Sequence, residues 1–145
     1  MNFLSPVSDL MTTSLISVGP DDSISVVQGV FESYKIHHVP VVEGDKLVGM
    51  ISKNDLYHFM SNVCKEEAPE GKNPLKELHE VPVKKIMTSG LARLEPTDRI
   101  DVALELFKIN RFHAIPVTKE DRTLVGILTT HDLIKALAEG TLKAE

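Results

Sequence analysis

The chain of 145 residues has no tryptophan, one cysteine, 5% aromatic residues and no surplus of positive charge. Each shortage excludes something. A lone cysteine, Cys64, leaves no intramolecular disulfide and no multi-cysteine metal site. Few aromatics argue against a broad surface for stacking bases. The formal charge of −5, from 16 basic and 21 acidic residues, argues against a nucleic-acid backbone or an anionic membrane as main partner. Apolar runs are only a few residues long, so no segment is expected to span a bilayer. The opening MNFLSPVSDLM has neither a basic start nor an apolar core, so no signal peptide is expected, and the expected location is cytoplasmic. What is present, 42% hydrophobic and 26% charged residues, suits a soluble globular protein of one ordinary domain or two very small ones.

The chain nearly repeats itself, which decides its organisation before any element does. At an offset of 76 (83 − 7), identities fall at Val7/Val83, Met11/Met87, Thr12/Thr88, Leu15/Leu91, Pro20/Pro96, Asp22/Asp98, Ile24/Ile100, Val26/Val102, Phe31/Phe107, His37/His113, Pro40/Pro116 and Val41/Val117. One residue is then inserted, and the match resumes as Leu47/Leu124, Val48/Val125, Gly49/Gly126, Asp55/Asp132 and Leu56/Leu133. The insertion lies between Glu43–Lys46 and Lys119–Thr123, turn compositions where an extra residue costs little. The expected division is a repeat at 7–62, a connector at 63–82 and a repeat at 83–139.

Both repeats read as β-α-β-β-α, a mixed α/β (α+β) fold. Residues 15–18 and 91–94 form short extended segments. After Pro20 and Pro96 the apolar period becomes helical, with Ile24, Val27 and Phe31, and then Ile100, Ala103, Leu104 and Phe107, on one face. The acidic and hydroxyl residues just ahead suit N-caps. His38–Val42 with Lys46–Ile51, and Ala114–Thr118 with Thr123–Leu128, predict hairpins. Helices follow over Leu56–Val63 and Leu133–Ala138. The connector carries three Lys and five Glu, with two Pro and one Gly in its middle, which predicts a solvated link with a helical turn near Leu75–His79. Repeats this small bury too little apolar surface to be comfortable alone, so a pseudo-twofold pair is expected.

Each second hairpin strand runs into a polar signature, Gly49-Met50-Ile51-Ser52-Lys53-Asn54-Asp55 and Gly126-Ile127-Leu128-Thr129-Thr130-His131-Asp132. Ser52 and Thr129 suit N-caps, with Asp55 and Asp132 at the third helical position, close to a capping box. The same geometry suits a ligand: helix N–H groups meet an anion, and a nearby carboxylate accepts from a ribose diol. Gly49 and Gly126 allow either close approach of a ligand or backbone, or simple strand kinking. His37, His38 and His113 have no metal-ligand spacing, so no metal site is expected. Cys64, alone in an acidic stretch, is expected to be inert.

With these motifs in place, the order β-α-β-β-α, the Met-Thr openings, the H-x-h-P-V strands and the G-h-h-[ST]-x-x-D ends resemble a cystathionine-β-synthase (CBS) domain pair, or Bateman module, over essentially the whole chain. The resemblance implies a regulatory binding module rather than an enzyme, with no obligatory cofactor, an adenine nucleotide as ligand and a homodimer as assembly. It implies that Asp55 and Asp132 hold ribose hydroxyls and that Ser52 and Thr129 lie near ribose and phosphate. It further implies two composite clefts. One joins Thr12, Ser14, Leu15 and Ile16 to Arg111, Phe112, His113, Ala114 and Pro116 and to Ile127, Thr129, His131 and Asp132. The other joins Thr88, Gly90, Leu91 and Ala92 to Ile36, His37, His38, Val39 and Pro40 and to Met50, Ser52, Asn54 and Asp55. Adenine is expected beside Val39-Pro40 and Ile115-Pro116. The family often has a basic residue three before that proline; His37 and His113 depart from this toward a weaker, pH-dependent cation, favouring AMP over ADP and ATP.

Charge along the sequence points to the Asp132 cleft. Residues 1–62 carry 3 basic and 7 acidic residues, net −4, whereas 83–145 carry 10 and 9, net +1, including Arg111 and Lys135. The rival reading is a ligand-free pair that dimerises or docks on an enzyme or transporter. No nucleic acid or membrane is expected as partner.

Overall fold

A computed structural model describes residues 1–65, 74–110 and 113–144, with Cys64, Lys65, Pro74, Leu75 and Asn110 described by backbone alone. Among these, the elements are α1 (Ile24–Ser33), β1 (His38–Glu43), β2 (Lys46–Ser52), α2 (Lys53–Lys65), α3 (Pro74–Glu80), α4 (Ile100–Asn110), β3 (Ala114–Thr118), β4 (Leu124–Thr129) and α5 (Thr130–Ala138). This is the mixed α/β architecture expected. Arg111 and Phe112 lie outside the described residues.

The chain divides into two compact units, Met1–Leu15 with Leu91–Glu145, and Ile16–Gly90. Compact units and sequence repeats are therefore different partitions: each repeat sends its opening arm into the unit that holds the other repeat's hairpin. The reason is burial. Val7 is fully buried among Leu94, Ile100, Ile115, Val117 and Leu128, and Val83 among Val18, Ile24, Val39, Val41 and Ile51. Burying one valine contributes about 1.5–3 kcal/mol. The arms are then fixed by equivalent bonds. Val7 N–H donates to Asp98 O (2.7 Å) and Ser8 N–H to Pro96 O (3.1 Å); Val83 N–H donates to Asp22 O (2.8 Å) and Lys84 N–H to Pro20 O (3.0 Å).

Within each unit one antiparallel hairpin forms the sheet, β1 with β2 and β3 with β4, each with an irregularity in register near its turn. Gly44 takes φ +65° in the first turn, whereas the longer second turn puts Arg122 at φ +70°. Val39, Val41 and Ile51, and Ile115, Val117 and Leu128, face the cores. The expected first strands shrink to single parallel bridges, Val18 to Val41 and Leu94 to Val117. Flanking prolines at 20 and 96 leave no room for a longer ladder.

Helix starts also differ from expectation. Asp22 and Asp98 do not cap; their carboxylates accept from Gly19 N–H (2.7 Å) and Glu95 N–H (2.8 Å), closing the turns ahead of α1 and α4. Ser23, the N-cap of α1, makes no capping bond. The arms replace side-chain caps, because Ile24 N–H donates to Val81 O and Ile100 N–H to Ser5 O, both at 3.0 Å. The connector is not wholly solvated either. Its helix α3 places Leu78, 5% exposed, in the core of its unit, with Val81 packed alongside.

Candidate functional site

Each unit brings a strand end, a helix start and an arm to one place. In the first unit Thr12 N–H donates to Ile127 O (2.8 Å) and Ile127 N–H to Thr12 O (3.0 Å), so the arm forms a one-residue antiparallel bridge to β4. Pro116 is opposite Ile127 in the hairpin. Strand alternation therefore puts both on the face away from the core residues Ile115 and Leu128. The second unit repeats this with Thr88 bridged to Met50 (2.8 and 2.9 Å) and Pro40 opposite Met50. Gly126 and Gly49 are needed for the arms. A Cβ at Gly126 would stand 2.5 Å from Met11 Sδ and 3.2 Å from Thr12 O; at Gly49, 2.6 Å from Met87 Sδ and 3.0 Å from Thr88 O. Of the two readings of these glycines, backbone approach is the one observed.

Where the strands pass into helices, both predicted capping boxes are formed. Thr129 N–H donates to Asp132 Oδ2 (2.9 Å), and Asp132 N–H to Thr129 Oγ1 (3.1 Å). Ser52 N–H donates to Asp55 Oδ2 (2.9 Å), and Asp55 N–H to Ser52 Oγ (3.0 Å). The boxes draw the helices back to Lys53 and Thr130, ahead of the starts expected at Leu56 and Leu133. The first helical N–H groups are engaged too, Lys53 with His37 O (2.8 Å) and Thr130 with His113 O (3.0 Å). Fewer donors face an incoming anion than a bare helix start would present. Among the described residues one bond has no counterpart in the second unit: Thr12 Oγ1 donates to Asp132 Oδ1 at 3.1 Å.

The remaining expected residues scatter in accessibility. Ser14 is exposed and Leu15 half-buried at the end of the first arm, while Ile16 belongs to the other unit. His113 and His131 are exposed, and Ala114 and Pro116 are buried in β3. In the second unit His37, Asn54 and Gly90 are exposed, His38 is half-buried, and Leu91 and Ala92 belong to the first unit. Val39 and Ile115 are completely buried in the cores and Ile36 packs against one, which leaves Pro40 and Pro116 as the strand residues on the site face. The bond from the Thr12 hydroxyl to Asp132 is the contact that sequence reasoning missed: the resemblance put both residues in one cleft but not in direct contact.

The charge contrast that favoured Asp132 nearly disappears in the folded units. Met1–Leu15 with Leu91–Glu145 holds 8 basic and 10 acidic residues, net −2; Ile16–Gly90 holds 8 and 11, net −3. Lys84 and Lys85 account for most of the change, because they sit with the first repeat's helix α1, where Lys84 Nζ is 3.0 Å from Asp21 Oδ1. Among the described residues no three His, Cys, Asp or Glu side chains cluster to hold a metal, and no helix is long and apolar enough to cross a membrane.

The family model of the CBS domain matches residues 7–62 and 83–139. The chain is 30% identical over 128 residues to the inosine-5'-monophosphate dehydrogenase of Methanocaldococcus jannaschii, covering 88% of this chain but 22% of that enzyme. A CBS domain-containing protein of Dictyostelium discoideum is 27% identical over 132 residues, covering 90% of both. Among solved structures, CBSX2 in complex with AMP matches with a TM-score of 0.78 at 24% identity, covering 94% of this chain and 98% of that one. The CBS domain pair of protein MJ0100, in complex with 5'-methylthioadenosine and S-adenosyl-L-methionine, matches with a TM-score of 0.77 at 20% identity, over 94% and 98%. At those identities the structural likeness establishes the fold.

Proposed function

Because the chain belongs to the CBS domain family, with one copy at 7–62 and another at 83–139, we propose that it is a regulatory module sensing adenine nucleotides, AMP ahead of ADP and ATP. The observation that carries this reading is the doubled strand end, in which Ser52/Asp55 and Thr129/Asp132 adopt the same hydrogen-bonded geometry beside a threonine arm. A carboxylate held rigidly at a helix start is preorganised to accept from a ribose diol. Related pairs in complex with AMP, or with two adenosyl compounds, support the ligand class. Each unit combines the arm of one repeat with the hairpin of the other, so a ligand there touches both repeats and favours one setting of the arm. The proposed module turns over no substrate, works in the cytoplasm and assembles as a homodimer.

A ligand-free docking pair is the second reading. It is favoured by the engaged helix N–H groups and by histidine rather than arginine at positions 37 and 113. Thermal melts with AMP, ADP, ATP, NADH and S-adenosylmethionine separate the two. Ligand at 100 times its Kd stabilises the protein by about 2.7 kcal/mol, and Asp55→Ala and Asp132→Ala each remove part of that gain. If no adenosyl compound at millimolar concentration moves the melt, the nucleotide reading is wrong and the docking reading stands.

A further inference from the structure

The two carboxylates differ at one oxygen, and we infer that the Thr12 hydroxyl is an internal competitor for Asp132, so that the Asp55 site takes a nucleoside diol first and the Asp132 site second. This rests on the reading of both carboxylates as ribose ligands. A carboxylate with both oxygens free can hold a cis diol with one hydroxyl on each oxygen. The capping boxes draw on Oδ2 equally, at 2.9 Å from the backbone N–H of Thr129 and of Ser52. Oδ1 is where the sites part. At Asp132 it accepts from Thr12 Oγ1 at 3.1 Å; among the described residues no hydroxyl reaches Oδ1 of Asp55.

The difference does not come from a displaced arm. Thr12 and Thr88 are bridged to their strands by matching pairs of bonds, 2.8 and 3.0 Å against 2.8 and 2.9 Å, and both threonines are exposed. It lies in the side chain alone. A diol arriving at Asp132 displaces or shares with a hydroxyl already donating to a charged acceptor, whereas at Asp55 it meets no such competitor among the described residues. Thr12 is therefore a specificity-determining residue that acts against the ligand, and it sets an order of filling opposite to the one the linear charge distribution favours.

Calorimetry with AMP tests this on single-site proteins. Asp55→Asn isolates the Asp132 site and Asp132→Asn isolates the Asp55 site; asparagine keeps the shape of the capping group, and circular dichroism checks the fold. The Asp55 site is expected to bind more tightly. Thr12→Val, added to Asp55→Asn, tightens AMP binding about threefold to tenfold, the worth of one net hydrogen bond. Thr88→Val, added to Asp132→Asn, brings no such tightening, because the Thr88 hydroxyl holds no carboxylate among the described residues. The gain from Thr12→Val is absent for 2',3'-dideoxy-AMP, which carries no diol; a merely structural effect of valine moves both ligands alike. A tighter Asp132 site, or a Thr12→Val that weakens AMP or leaves it unmoved, overturns the inference while the nucleotide reading survives. Failure of the parent to bind AMP overturns the nucleotide reading, and the inference falls with it.

Discussion

The unit around Asp132 and the unit around Asp55 use the same parts: a buried valine at the root of an arm, a methionine laid over a strand glycine, a one-residue bridge and a capping box. They differ where side chains meet solvent. Thr12 donates to Asp132, a bond that Thr88 does not repeat among the described residues. Arg99 makes a two-pronged pair with Asp101, at 3.0 and 2.6 Å, where the second unit places Ser23 beside Ser25 with their hydroxyls 2.5 Å apart. Burial holds the shared parts in common, because an apolar side chain without a core partner costs several times what an exposed polar contact contributes. Exposed positions are free to diverge, and there the two sites acquire different chemistry.

The largest effect that tests this equivalence comes from the cores. Ile51→Ala and Leu128→Ala, at completely buried positions in β2 and β4, are each expected to cost about 2–5 kcal/mol in urea denaturation. A cost below that range at only one of them breaks the equivalence. Next come the strand glycines: Gly49→Ala and Gly126→Ala should each lose about 1–3 kcal/mol through overpacking. Gly49→Ala is the worse, because the new methyl stands 3.0 Å from the backbone oxygen of Thr88 against 3.2 Å from that of Thr12. A methionine can swing aside; a bridged carbonyl cannot. Ser52→Ala and Thr129→Ala should each cost about 1 kcal/mol as lost caps, equal within error by thermal denaturation. Unequal values mean that the boxes are not equivalent.

The smallest effect belongs to the exposed Arg99–Asp101 pair. The hydrogen bond from Arg99 holds the Asp101 carboxyl below its ordinary value of 3.8. A lowered carboxyl contributes stability that is present above 3.8 and lost as pH falls through the lower folded value. Asp101→Asn should therefore melt slightly below the parent at neutral pH, with the gap closing in acid. A gap that widens in acid contradicts the assignment.

Much of this was readable along the chain. Alternation of apolar residues with Gly44 between them marks the first hairpin, and the Ser52/Asp55 and Thr129/Asp132 spacings foretell capping boxes that form as expected. Local signals misled where tertiary bonds outbid them. Asp22 and Asp98 looked like caps, yet the arms supply carbonyls to α1 and α4 and leave those acids to close turns. Leu78 looked like part of a solvated connector, and only the three-dimensional position of α3 gives it a core to enter.

The sequence by itself determined the duplication, the hairpins, the capped helix starts and the CBS family, because periodicity and short-range spacing express local physics directly. The family resemblance already paired the arm at Thr12 with the Asp132 strand end; only the tertiary structure gave the core and the bonds that hold each arm. Val7 and Val83 occupy matching places in the two repeats, so local sequence alone does not say which core takes which valine. That choice puts Thr12 against Asp132, 120 residues away, and moves Lys84 and Lys85 into the unit of the first hairpin. The overall charge of −5 is unchanged by the exchange. Its distribution is not, because electrostatics follows distance through space rather than position along the chain.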